Sequence, residues 1–140
     1  MAEAGAPLPF IPAATSGPSP PQDLCASSEL ADGGKGFVFD LLEYQRPARA
    51  FVLRHQGHLV GYLNRCAHVP AELDWQPGEF MDAEGQEIVC SIHGATYNPR
   101  TGHCTGGPAG RGRLVPIAVA EAEGRVYWYP SGPLQPTSFD

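Results

Sequence analysis

Basic residues are scarce in this chain, and no long apolar run occurs. Lys and Arg together number 9 against 15 Asp and Glu, for a formal charge of −6. Nucleic-acid affinity comes from neutralising phosphates, so this balance argues against a general nucleic-acid partner. A basic or mixed protein surface suits the charge better. No window approaches the roughly 18 consecutive apolar residues that cross a bilayer, so no membrane partner is expected. The opening "MAEAGAPLPFIPAATSG" has neither a basic start nor a continuous apolar stretch, and makes a poor secretory signal. Cysteine is sparse too. Four cysteines in 140 residues, two of them close to histidines, do not look like a secreted disulfide scaffold. Together these absences predict a soluble, cytoplasmic protein.

Sustained helical periodicity is also missing. With 17 Gly and 15 Pro, no dozen residues keep a helical period free of breakers. Two-residue alternation is what the chain offers instead. The blocks "GFVFDLLE", "RAFVLRH" and "HLVGYLN" read as short strands, the last two joined by "QG" as a two-residue hairpin turn. "EIVC", "LVPIAVA" and "RVYWYP" follow, each bounded by Gly or Pro. The pattern predicts an all-β domain of short antiparallel strands, as a sandwich or small barrel. Residues 1–22, rich in Pro and Ala, are expected to be extended or disordered, lying along the domain surface. Residues 23–130 form the expected domain, with Leu24 and Leu30 as core anchors, and residues 131–140 a flexible tail.

Chemistry concentrates in two places. "NRCAHVP" holds Cys66 and His68, and "CSIHGATYNP" holds Cys90 and His93, with 21 residues between His68 and Cys90. A thiolate and an imidazole one or two positions apart can ligate metal from one tight loop. Each pair follows a predicted strand, so two loops at one end of a sheet could present four ligands to a shared centre. Two chemistries use such a set. Zinc takes Cys₂His₂ as a closed tetrahedral site. A 2Fe–2S cluster can instead place both cysteines on one iron and both histidines on the other. Spacing alone does not separate them.

From Leu24 to Trp128 the chain resembles the Rieske ferredoxins, through "CAH", "LDW", "GEF", "IVCSIHGATYNPRTG" and "GGPAG". The resemblance implies a Rieske-like sandwich or barrel with a cluster-binding loop subdomain and one 2Fe–2S cluster per chain. It implies Cys66 and Cys90 on one iron, His68 and His93 on the other. Gly106 to Gly110, with Gly107 and Pro108 at the turn, would be a third loop shielding the cluster. Departures from the family carry information. The interval between the ligand pairs is longer than usual, which predicts an extra turn around "QPGEFMDAEGQ". Respiratory members join their ligand loops by a disulfide; the matching positions here are Ala71 and Ile92. Ala95 stands where those proteins have a serine that donates to a cluster sulfur, whereas Tyr97 matches a tyrosine that donates to a ligand thiolate. One donor fewer predicts a potential in the lower or middle part of the roughly −150 to +300 mV Rieske range. Ionisation of a ligand histidine in the oxidised state would make that potential fall with pH.

By this resemblance the chain is a one-electron carrier, taking electrons from a flavin-containing reductase and passing them to an oxygenase or another acceptor. It has no catalytic residues of its own. A mononuclear-iron oxygenase domain has no room here, with only His55, His58 and His103 left over. Two other readings stay open: a small redox or regulatory subunit of a larger oxidoreductase, and a zinc-stabilised interaction domain. Among the remaining residues, Cys104 is expected to be a free thiol near the third loop and Cys25 a small buried apolar residue. His55 and His58 read as a solvated pair flanking the hairpin turn, and Trp75 and Tyr97 as packing residues. Glu72, Asp74, Glu79, Asp82, Glu84 and Glu87 form an acidic segment without Lys or Arg, able to steer a basic redox partner, with Arg65, Arg100, Arg111 and Arg113 close by.

Overall fold

The computed structural model describes residues 20–67, 71–92, 94–107 and 112–137. In chain order the strands are β1 (Gln22–Ala26), β2 (Phe37–Glu43), β3 (Arg46–His55) and β4 (His58–Leu63). Then come β5 (Ile88–Val89), β6 (Thr96–Tyr97), β7 (Cys104–Gly106), β8 (Val119–Ala122), β9 (Arg125–Trp128) and β10 (Leu134–Gln135). One 3₁₀ turn, Ser27–Glu29, is the helical element among the described residues. The strands form three antiparallel sheets, ordered β10-β2-β3-β4, β1-β9-β8 and β5-β6-β7. The all-β expectation holds.

The run Ala50–Leu53 in β3 explains how these sheets stack. All four residues are fully buried. Neighbouring side chains on a strand point to opposite faces, so four consecutive buried residues need cover on both sides. Ala50 packs with Leu41, Leu63, Ile117 and Trp128, and Val52 with Cys25, Leu30 and Val126. Phe51 and Leu53 face the other way, into a core with Leu73, Phe80, Ile88, Tyr97 and both Cys66 and Cys90. Phe51 stacks on Phe80 at 3.8 Å between ring centroids. One central strand thus joins a base to a smaller subdomain that carries the cysteine loops. Leu30 is a core residue as expected, and Leu24 packs against the core half-buried.

The "QG" turn forms as read: His55 pairs with His58, and Gln56 and Gly57 have φ of 51° and 80°, the positive values a type I′ hairpin requires. Gly61 lets the segment 115–119 approach β4 closely, since a Cβ there would lie 2.9 Å from Ile117 Cγ1 and 3.0 Å from Val119 Cγ1. Two expectations need correction. "LVPIAVA" is not one strand. Its first half runs along the edge of β4 through Leu63 N–H to Val115 C=O and Ile117 N–H to Gly61 C=O, because Pro116 has no amide to continue a ladder. Within the expected flexible tail, Leu134 and Gln135 pair with Glu43 and Leu42 as an edge strand. His55 is 6% exposed rather than solvated, with neither ring nitrogen hydrogen-bonded among the described residues. His58 does stay exposed, its Nδ1 3.0 Å from Gln56 C=O. The expected N-terminal segment lies mostly outside the described residues.

Candidate metal centre

Strand β4 ends at Leu63 and the chain folds back at once. The Cys66 N–H donates to Ala71 C=O at 2.8 Å, closing the first cysteine loop. The second loop leaves β5 at Cys90, whose N–H donates to Ala95 C=O at 2.8 Å, while Gly94 N–H returns to Cys90 C=O at 3.0 Å. Cys66 and Cys90 are 5% and 0% exposed and share one apolar core. The loop tips are the reverse: Ala67 and Ser91 are exposed, and Ile92 is 52% exposed. His68 and His93 lie outside the described residues, as does Pro108. The structure therefore brings the two cysteine loops together and exposes the residues next to each predicted histidine.

Tyr97, fully buried on β6, reaches both sides of the first loop. Its hydroxyl is 3.3 Å from Cys66 Sγ and 3.1 Å from Ala67 N. The Ala67 N–H can only donate, so the phenol oxygen accepts there. Toward a Cys66 thiol either atom could donate, whereas toward a Cys66 thiolate only the phenol hydrogen can. Burial, reinforced by the sulfur contact, pushes the Tyr97 hydroxyl well above the usual phenol range and keeps that hydrogen in place. Tyr97 is thus a packing residue and a hydrogen-bonding partner of Cys66 at once.

The third loop leaves β7 at Gly106. Gly107 has φ +87°, and a Cβ there would sit 2.6 Å from Ala95 Cα and 3.1 Å from Ala95 N. Only glycine allows this backbone approach. Ala95 is fully buried beneath it, without a side chain able to donate. Cys104 is half-buried, opposite Tyr97 in the β6–β7 register, and its thiol donates to Gly106 C=O at 3.1 Å. Cys25 lies far off in the base core, where burial raises its thiol pKa.

The acidic segment forms the expected extra turn. Asp82 N–H donates to Glu87 C=O and Gly85 N–H to Asp82 C=O, with Met81 bridging Ile88. Glu72 and Glu79 face Arg49 and Lys35 at 3.8 Å. Asp82 and Glu87 accept from Gln86 N–H and the Thr105 hydroxyl, which leaves their charge in place. Arg65, beside Cys66, is held by Glu43 in a two-pronged pair at 2.7 and 3.0 Å. Trp75 is an exposed residue rather than a packing one. Sequence reasoning passed over Asn64, a buried amide at the end of β4. Its signal was a polar residue closing an apolar strand two positions before a candidate ligand.

The family model for the Rieske [2Fe-2S] domain matches residues 21–122. No curated protein matches the chain. Among solved structures, it is similar to the ferredoxin of carbazole 1,9a-dioxygenase from Nocardioides aromaticivorans IC177, at 23% identity and a TM-score of 0.63 over 81% of this chain and 100% of that one. A complex of reduced oxygenase and oxidized ferredoxin in carbazole 1,9a-dioxygenase gives 25% identity and a TM-score of 0.61, over 78% of this chain and 92% of that one.

Proposed function

We propose that this chain, which belongs to the Rieske [2Fe-2S] domain family, carries single electrons from a flavin-containing reductase to an oxygenase or another acceptor. The observation that supports it most is the convergence of two cysteine loops in one buried core within the matched region. The donor chemistry fits a 2Fe–2S cluster: two buried thiols, one already facing a phenol donor, with exposed positions beside each histidine. Cys66 and Cys90 would hold one iron, His68 and His93 the other. When bound, the cluster supplies a one-electron couple. The protein's own part is to exclude water from the sulfurs through Leu73, Phe80 and Ala95, to direct the Tyr97 hydrogen at Cys66, and to leave the histidine side open to a partner.

The similar complex contains oxygenase and ferredoxin, which favours an oxygenase as the acceptor here. Asp82, Glu84 and Glu87 on the extra turn steer a basic partner. Among the described residues no helix is long and apolar enough to cross a membrane, in keeping with work in the cytoplasm. The test is the absorption and EPR spectrum of freshly purified, anaerobically reduced protein, with iron, zinc and sulfide assayed together. Two irons and two sulfides per chain, with a reduced signal of low average g, are expected. One zinc and no labile sulfide would replace the carrier with a zinc-stabilised interaction domain. Reduction by the reductase should slow as salt rises; a rate indifferent to ionic strength removes the steering.

A further inference from the structure

We propose that Asn64 is a positioning residue that sets the spacing of the two cysteine loops through the Leu73 peptide. The inference rests on reading Cys66 and Cys90 as cluster ligands. Asn64 is 4% exposed. Its Oδ1 accepts from Leu73 N–H at 2.8 Å, and its Nδ2 donates to Asp74 Oδ1 at 3.0 Å. Asp74 Oδ2 accepts in turn from Gly78 N–H at 3.1 Å. The other side of the Leu73 residue completes the connection: its C=O accepts from Ser91 N–H at 3.1 Å. Asn64 itself is anchored to the central strand by its N–H on Arg49 C=O at 2.8 Å.

A continuous path therefore runs from β3 through Asn64 and Leu73 to Ser91. Asn64 stands two residues before Cys66, and Ser91 directly follows Cys90. The Leu73 side chain is fully buried in the core that holds both cysteines, so it cannot slide without disturbing that packing. The site needs an acceptor toward a backbone N–H and a donor toward a carboxylate oxygen, side by side. A primary amide provides both; a carboxylate provides acceptors only. Left unmade, these buried bonds would expose the loop to motion rather than merely weaken the base of the fold.

The roles can be exchanged between the two residues. In Asn64→Asp the two carboxylates face each other with no donor between them. In Asn64→Asp with Asp74→Asn, the new carboxylate accepts from Leu73 N–H and from the new amide, whose oxygen takes Gly78 N–H. All three bonds return at unchanged net charge. With full-length cluster-loaded protein and EDTA as chelator, N64D should lose cluster faster by about 10- to 100-fold, the usual effect of losing an outer partner of a metal site. Its reduced EPR lines should broaden. The double exchange should recover most of the loss rate and narrow the lines again. Hydrogen–deuterium exchange over residues 64–78 of the full-length chain as purified should follow the same order.

A double variant no better than N64D, or a folded N64D with wild-type loss rate and EPR, overturns the proposal. Asp74→Ala, at a half-buried residue, serves if N64D does not fold; it should show an intermediate loss rate, and wild-type behaviour would count equally against the clip. If the wild-type chain holds no iron and sulfide, the ligand reading fails. The exchange data then decide the clip alone: protection restored by the double variant keeps it, and protection indifferent to these changes removes it.

Discussion

Replacing Tyr97 with Phe removes one oxygen and tests the cysteine loop directly. The hydroxyl sits 3.3 Å from Cys66 Sγ and takes the Ala67 N–H at 3.1 Å. Ala67 is exposed, so water can replace the phenol at that amide, and the cost in fold stability should stay near 1 kcal/mol. The sulfur side differs, because Cys66 is 5% exposed and no water follows. Hydrogen bonds to charged acceptors contribute about 1.5–3 kcal/mol. The cluster gains a negative charge on reduction, so part of that strength, roughly 1 kcal/mol, exists only in the reduced state. About 1.4 kcal/mol corresponds to tenfold and to 59 mV for one electron, so Tyr97→Phe should lower the potential by about 40 mV. Spectroelectrochemical titration of both proteins at pH 7 measures it. A potential unchanged within about 10 mV, or one that rises, would refute the assignment of the phenol hydrogen to Cys66.

Gly107→Ala forces a Cβ to 2.6 Å from Ala95 Cα at positive φ, so it should cost about 2–3 kcal/mol and cut cluster content; thermal melting with an iron assay reads both. His55→Leu removes a buried ring that has no hydrogen bond at either nitrogen among the described residues and should stabilise the fold by about 1 kcal/mol in urea unfolding. A loss there would mean that the polar cavity beside His55, bordered by Asp32, Asp82 and Gln86, supplies a partner. The Arg54 and Arg65 guanidiniums hold the carboxyls of Glu121 and Glu43 below the ordinary carboxylate range. A depressed pKa contributes stability above the ordinary value, near 4.3, that is lost as pH falls through the folded value. Melting temperature should therefore drop between about pH 5 and 3, less steeply in Glu43→Gln with Glu121→Gln; parallel profiles would exclude these pairs as the source.

Local signals carried much of the fold. Alternation located β2, β3 and β4, and "QG" located the turn between the last two, because side-chain direction and turn φ are properties of neighbouring residues. They failed where a distant partner decided the outcome. Leu134 and Gln135 have no strand pattern of their own and become one by finding the open edge of β2. His55 looked like a turn residue, yet the folded chain leaves it only 6% exposed, beside the distant residues Asp82 and Gln86.

For the site the division is similar. The order of Cys66, His68, Cys90 and His93, with the motif around the second pair, was enough by itself to suggest the donor set and the family, since ligand identity and loop spacing are written along the chain. How the sulfurs are served was not written there. Tyr97 meets Cys66 across 31 positions, and Asn64 meets Leu73 across 9, only because Phe51 and Leu53 bury one face of β3 against the cysteine loops. Hydrogen-bond reach is about 3 Å whatever the sequence separation. Which donor arrives there depends on how the two cores pack on their shared strand, and tertiary structure alone decided it.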